Sequence, residues 1–158
     1  MSDEAVDVTT PEQRAAIGVL EREWQDLETW LRSLDDRDLD RPVFGEGPGW
    51  RVRDMIPHVA WWQELAGRVA EKMSREGGAP DQRGSRAFVG IVLSADRWKR
   101  WLEAHSRMMA AVRALRPDQL LGGNGPEGLQ LYLAVPGVIH LQRHRQDIAD
   151  ALKETTTT

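Results

Sequence analysis

Four long stretches of this 158-residue chain carry apolar residues at intervals of three and four, the spacing that places them on one face of an α-helix. No stretch shows the strict alternation of apolar and polar residues that is typical of a half-buried strand. Because each helix has one apolar stripe to bury, the sequence predicts an all-α four-helix bundle with long connections between its helices. The four stretches cover residues 11–34, 51–74, 87–115 and 128–153.

Capping and helix-breaking residues set the expected boundaries. Thr10 followed by Pro11 is typical of an N-cap and a first helical position. Residues 35–49 hold two prolines and three glycines and are expected to form a loop. Pro117 is expected to end the third helix, and Pro136 to kink the fourth or to mark its true start. These boundaries predict a flexible tail at 1–10, a single domain at 11–154 and a frayed tail at 155–158.

Composition excludes several classes of protein. The formal net charge of −4 and the absence of a basic cluster argue against a nucleic-acid partner. No apolar run reaches the roughly 18 residues that a membrane span requires, and the acidic start of the chain does not resemble a signal peptide, so we expect a cytoplasmic protein. Cysteine is absent, which excludes disulfides, thiolate metal ligands and a thiol nucleophile carried by the protein.

Three of the four histidines form a pattern that indicates one metal site. His140 and His144 are four residues apart and therefore point to the same side of one helix. His58, on another helix, would complete a set of three nitrogen ligands with open coordination positions, which is typical of a reactive rather than a structural metal. If the two helices are neighbours, we expect the site at the rim of the bundle. The simpler alternative is that these histidines reflect surface composition alone.

Other polar and aromatic residues near the three histidines have two possible roles each. Asp54 and Asp147 are candidates to orient an imidazole from behind, although Asp54 equally fits a carboxylate in the first helical turn. Trp61 is a candidate pocket wall or a packing residue. Arg143 is a candidate contact for an anionic co-substrate or part of a solvated face. The fourth histidine, His105, lies in an apolar stripe and is expected to be a hydrogen-bonded core residue.

The ordered combination of two motifs resembles the DinB-like superfamily. The motifs are Trp50-x-Val52-x-Asp54-x-x-x-His58 at the start of the second helix and His140-x-x-x-His144 on the fourth. The resemblance covers residues 11–153 and implies that the metal ligands are His58, His140 and His144. Two positions depart from the family pattern: Arg51 replaces the usual Ser or Thr cap, and Pro57, which cannot donate a helical hydrogen bond, precedes His58.

The resemblance implies a metal-dependent enzyme of detoxification or stress response. It would transfer a low-molecular-weight thiol, such as mycothiol or bacillithiol, to a small electrophile, and homodimers are expected. One divalent metal ion is implied, with zinc or nickel favoured over iron or manganese. Alternatively, the chain is a non-catalytic bundle that binds a small ligand or a protein partner and has a vestigial metal site, a possibility that the prolines and the missing cap favour. A third hypothesis is metal-assisted hydrolysis with Asp54, Glu64 or Asp147 as the base.

Overall fold

The computed structural model describes residues 9–43, 49–78 and 96–153, and these residues form helices and connections without a β-strand. The prediction of an all-α bundle is confirmed. No helix in these ranges is long and apolar enough to cross a membrane. The helices are α1 (Pro11–Ser33), α2 (Asp36–Leu39), α3 (Met55–Glu76), α4 (Arg97–Arg113), α5 (Pro117–Leu120), α6 (Leu131–Ala134) and α7 (His140–Lys153), with 3₁₀ turns at Val52–Asp54 and Pro126–Gly128 and a π-helical turn at Val135–Ile139 joining α6 to α7.

The first helix begins where its capping residues predict. The Thr10 hydroxyl accepts a hydrogen bond from the backbone N–H of Gln13 at 3.2 Å, and the Gln13 side chain accepts one from the backbone N–H of Thr10 at 2.9 Å. This reciprocal pair satisfies two backbone donors that a helix otherwise leaves without partners.

The tails predicted at 1–10 and 155–158 lie almost entirely outside the described residues, so the domain limits stay predictions.

Two predicted boundaries are wrong. The segment expected to be a loop contains α2, because the Asp35 side chain accepts a hydrogen bond from the Asp38 N–H at 2.8 Å and so caps a short helix. The third helix does not run unbroken from residue 87. Asp96 has a non-helical backbone and its carboxylate caps α4 by accepting from the Lys99 N–H at 2.9 Å, whereas residues 87–95 lie outside the described part of the chain.

Helices α3 and α4 are neighbours and run in the same direction. The Glu64 carboxylate accepts from the Arg100 guanidinium at 2.7 Å, and seven residues further along both helices Glu71 accepts from Arg107 at 2.8 Å. The pairing advances along both helices together, which requires a parallel arrangement.

The α1 helix runs parallel to α7 and antiparallel to α4. Glu23 of α1 accepts from Gln142 of α7 at 3.0 Å, and the next turn brings Asp26 within 3.8 Å of Arg145. The bundle is therefore wound up, down, down and up in chain order. Glu21 near the start of α1 pairs with Arg113 at the end of α4, whereas Arg32 at the end of α1 lies over the ring of Trp98 at the start of α4. These two contacts show that α1 and α4 are antiparallel.

Two glycines allow helices to approach closely. A Cβ atom at Gly67 would lie 3.2 Å from the Cα of Met108, so α3 and α4 touch there through their backbones. A Cβ atom at Gly137 would lie 2.3 Å from Cδ2 of Leu20, which is fully buried. The π-helical turn is thus pressed against α1 one turn before α7 begins. Contact of this kind fixes where the first residues of α7 lie in the bundle.

Candidate metal centre

Three histidine side chains meet between α3 and α7. The Nε2 atom of His140 lies 2.8 Å from Nε2 of His58 and 2.8 Å from Nε2 of His144. His58 comes from the first turn of α3, and the other two from the first two turns of α7. His58 and His144 are 5% and 0% exposed, and His140 is half-buried. The three nitrogens therefore lie inside the bundle, and only the His140 edge reaches the rim that the sequence predicts.

The short contacts between nitrogens are not explained by hydrogen bonds alone. One imidazole nitrogen carries either one proton or one lone pair, so Nε2 of His140 can make one good hydrogen bond but not two. A single cation shared by three inward lone pairs removes this conflict. Ligand nitrogens at about 2.1 Å from a tetrahedral zinc ion stand about 3.4 Å from one another, so a bound ion would need the two 2.8 Å spacings seen here to widen only slightly. The three histidines could therefore hold one metal ion.

Burial keeps these imidazoles neutral. Loss of solvent lowers the pKa of His58 and of His140 to about 4, and that of His144 to about 2. The charge of Arg143 contributes to the lowered pKa of all three, and for His140 and His144 the neighbouring imidazoles contribute more than Arg143 does. Near pH 7 each ring consequently has one unprotonated nitrogen, which is the form that binds a metal.

One of the two candidate carboxylates lies against a histidine. Oδ2 of Asp147 is 3.3 Å from Nδ1 of His144, so a proton on Nδ1 is held there and the Nε2 lone pair is directed inward. Asp54 has a different contact. Its carboxylate accepts from the backbone N–H of Arg51 at 2.8 Å and caps the start of the helix. The alternative role proposed for Asp54, a carboxylate in the first turn, is the one that the structure shows.

Both prolines near the ligands fit their positions. Pro57 is the third residue of α3, where a backbone N–H has no acceptor within the helix, so no hydrogen bond is lost. Pro136 lies in the π-helical turn, and the His140 N–H donates to the carbonyl of Val135, five residues earlier. The wider turn absorbs the proline, and the fourth helical unit is neither broken nor restarted there.

Two tryptophan rings border the histidines. The ring centre of Trp62 is 5.2 Å from that of His140, and Trp50 stands edge-on to His58 at 5.0 Å. Trp61, the predicted pocket wall, instead contacts Trp62 at 5.3 Å and is one ring removed from the histidines. The sequence contained a signal for Trp62, because it follows His58 by four residues and so lies on the same side of α3.

The remaining candidate residues divide into one beside the site and two outside it. Arg143 is exposed on α7, three residues after His140. His105 is buried in the core, as predicted: its Nδ1 lies 3.2 Å from Oε1 of Gln63, and its ring stacks on Trp24 at 3.9 Å. Glu64 is bound by both arms of the Arg100 guanidinium, so its carboxylate is not available as a base.

A family described as the mycothiol maleylpyruvate isomerase N-terminal domain matches residues 20–149 of this chain. The match includes α3, α4 and all three histidines. That family is a member of the DinB-like superfamily, which confirms the resemblance found in the two motifs. No curated protein and no solved structure gives a significant match.

Proposed function

Because this chain belongs to the mycothiol maleylpyruvate isomerase N-terminal domain family, we propose that it is a metal-dependent enzyme that transfers a low-molecular-weight thiol to a small electrophile. The thiol is of the mycothiol type. One divalent ion, zinc or nickel, is held by His58, His140 and His144. The observation that supports this proposal is the convergence of three neutral imidazoles, in which Nε2 of His140 lies 2.8 Å from Nε2 of His58 and 2.8 Å from Nε2 of His144.

In the proposed reaction the protein binds the metal ion and positions the reactants, and the reacting sulfur comes from the thiol co-substrate. When bound, a divalent ion lowers the pKa of a coordinated thiol, so that thiolate forms near neutral pH. The chain has no cysteine that could compete for the electrophile. The thiol proton passes to solvent. With an alkyl halide, the S–C bond forms as the carbon–halogen bond breaks and the halide leaves with the electron pair; with an activated double bond, the π electron pair moves onto the activating group and is then protonated from solvent. Asp147 holds the tautomer of His144, and Trp50 and Trp62 exclude water from two sides.

The competing hypotheses have less support. The departures that favoured a non-catalytic bundle are accommodated: Pro57 lies in the first turn of α3, the π-helical turn accommodates Pro136, and Asp54 supplies half of the missing cap. Metal-assisted hydrolysis needs a base. Asp54 is engaged in the cap and Glu64 in an ion pair, which leaves Asp147 behind an imidazole.

Metal content and turnover test the proposal together. Untagged protein should contain about one metal ion per chain by mass spectrometry, and a His58→Ala/His144→Ala variant should contain none. Turnover of mycothiol with iodoacetamide should disappear in His144→Ala, because two imidazoles bind the ion too weakly. His105→Gln is the matched control, since it removes a buried histidine outside the site. Normal turnover in His144→Ala would contradict the proposal.

A further inference from the structure

One aromatic side chain beside the three histidines carries a buried polar group that has no partner. Trp62 is half-buried, yet its Nε1 is enclosed, and within the described residues no atom accepts a hydrogen bond from it. An indole nitrogen can only donate, and buried donors in folded proteins are normally paired. The ring centre of Trp62 is 5.2 Å from that of His140. An unsatisfied N–H therefore belongs to a ring that borders the candidate metal centre.

The other unpaired aromatic nitrogens of the described ranges lie elsewhere or point away. The indole N–H groups of Trp24 and Trp101 also lack acceptors, but these two rings stack on one another in the core at 5.6 Å. Nδ1 of His58 is unpaired as well. Because that ring turns its Nε2 toward His140, at 2.8 Å, its Nδ1 faces away from the place where the three Nε2 atoms meet. Of these nitrogens, the one that a molecule at the three histidines can meet is Nε1 of Trp62.

Trp62 and His140 form the less enclosed side of the site. Both are half-buried, whereas His58 and His144 are 5% and 0% exposed. A tryptophan at such a position usually buries its carbon atoms and turns its N–H toward water. Trp62 does the reverse, because its nitrogen is the enclosed part of the side chain. A molecule that enters over His140 therefore meets a hydrogen-bond donor and not only a hydrocarbon wall.

We propose that Trp62 determines specificity: its indole N–H donates a hydrogen bond to an oxygen of the molecule that occupies the three-histidine site. The acceptor is an uncharged oxygen of the amide or carbonyl type, because the rings of Trp61 and Trp62 surround the donor with apolar surface, where a charge is costly to bury. A ligand without this oxygen leaves the donor unpaired and is disfavoured. In the proposed thiol transfer the oxygen belongs to the electrophile, beside the carbon that bonds to sulfur, and this part of the inference rests on the proposed function.

Two small thiols of similar size test the donor on the zinc-loaded protein without an electrophile. 2-Mercaptoacetamide carries a carbonyl oxygen beside the carbon attached to sulfur, whereas propane-1-thiol has no acceptor there. By titration calorimetry, Trp62→Phe should bind 2-mercaptoacetamide about tenfold more weakly than wild type does, the effect of losing one hydrogen bond in an enclosed site. Propane-1-thiol should bind the two proteins equally, because phenylalanine keeps an aromatic ring beside His140.

Nuclear magnetic resonance provides a second measurement, which a change in packing alone would not reproduce. The indole N–H resonance of Trp62, identified by its absence from Trp62→Phe, should move downfield when 2-mercaptoacetamide binds and should respond less to propane-1-thiol. Trp24→Phe is the matched control, because it removes a buried and unpaired indole N–H that stacks on His105 instead. This control should bind both thiols as wild type does. Zinc content measured on each variant shows whether the metal centre is intact.

Several results would contradict the assigned role of Trp62. They are equal affinities of Trp62→Phe and wild type for 2-mercaptoacetamide, an equal loss for both thiols, a loss that Trp24→Phe reproduces, and failure of wild type to bind 2-mercaptoacetamide. An N–H that donates to the face of Trp61, whose ring stands at 89° to that of Trp62, predicts the first of these results. The proposed function fails separately, when the two thiols bind as expected but mycothiol is not transferred to iodoacetamide.

Discussion

Replacing Gly137 by alanine should disturb both the stability of the bundle and the metal site. The added Cβ would lie 2.3 Å from Cδ2 of Leu20, more than 1 Å inside ordinary van der Waals contact, which begins at 3.4 Å. Leu20 is fully buried, so its side chain can turn only against other residues of the core. Either its side chain leaves its preferred rotamer or the π-helical turn moves away from α1. The second response displaces His140, which begins the next turn.

The size of the effect follows from a matched pair of glycines. A Cβ at Gly18 of α1 would meet only the tip of the exposed Arg22 side chain, at 3.0 Å, and that side chain can move. Both substitutions gain the higher helix propensity of alanine, up to about 1 kcal/mol. The difference between the variants therefore reports the overlap itself, and we expect Gly137→Ala to be less stable than Gly18→Ala by about 1–3 kcal/mol.

Urea unfolding followed by circular dichroism, with a chelator present, measures this difference without the contribution of bound metal. Nickel titrations then report the site, because a bound ion should quench the fluorescence of Trp50 and Trp62 beside the histidines. Gly18→Ala should bind nickel as wild type does, and Gly137→Ala more weakly. Equal stability of the two variants would refute the argument that contact between Gly137 and Leu20 sets the position of α7.

Two further predictions concern groups outside the site. Burial lowers the pKa of His105 from 6.5 to about 4, so the stability that its neutral form contributes is complete above pH 6.5 and is lost as the pH falls toward 4. By pH 5 this lowers the free energy of unfolding by about 2 kcal/mol. The urea midpoint of His105→Phe should therefore decrease less between pH 7 and pH 5 than that of wild type. An equal decrease in the two proteins would count against this prediction. A double-mutant cycle on Glu64 and Arg100, whose side chains are 25% and 19% exposed, should give an interaction free energy of about 1 kcal/mol. The same cycle on the exposed pair Lys72 and Glu76 should give a value close to zero, and equal values for the two pairs would contradict this prediction.

The helices of this protein could be predicted from the sequence, but their arrangement could not. The apolar spacing of a stretch depends on that stretch alone. It therefore predicted the limits of α1, of α3 and of the helical segment that contains α7 to within a few residues. Which helices are neighbours depends on pairs such as Glu71 with Arg107 and on the close approach at Gly67, which join residues far apart in the chain. The short α2 helix was missed because two prolines and three glycines outweighed a single capping aspartate.

The candidate site, too, could be predicted in part from local spacing and in part could not. Spacing and motif order selected the three histidines that the structure brings together, and this selection needed no knowledge of side-chain direction. The contacts of Asp54 and Trp61 do depend on direction, because a cap competes for the carboxylate and a neighbouring ring stands between Trp61 and His140. The depth of the site depends on helix packing, which apolar spacing does not encode. The predicted homodimer and cytoplasmic location stay predictions.

The up, down, down, up winding of the bundle has a consequence for how the protein is assembled. His58 and His140 are 82 residues apart, and their helices are not consecutive in the chain. The site therefore forms only once α3 and α7 have come together, so we expect capture of metal to follow the long-range assembly of the bundle. An ion that joins two such distant points also acts as a cross-link, and it restricts the unfolded chain more than a link between adjacent helices would, by about 0.6 kcal/mol for each doubling of the loop length.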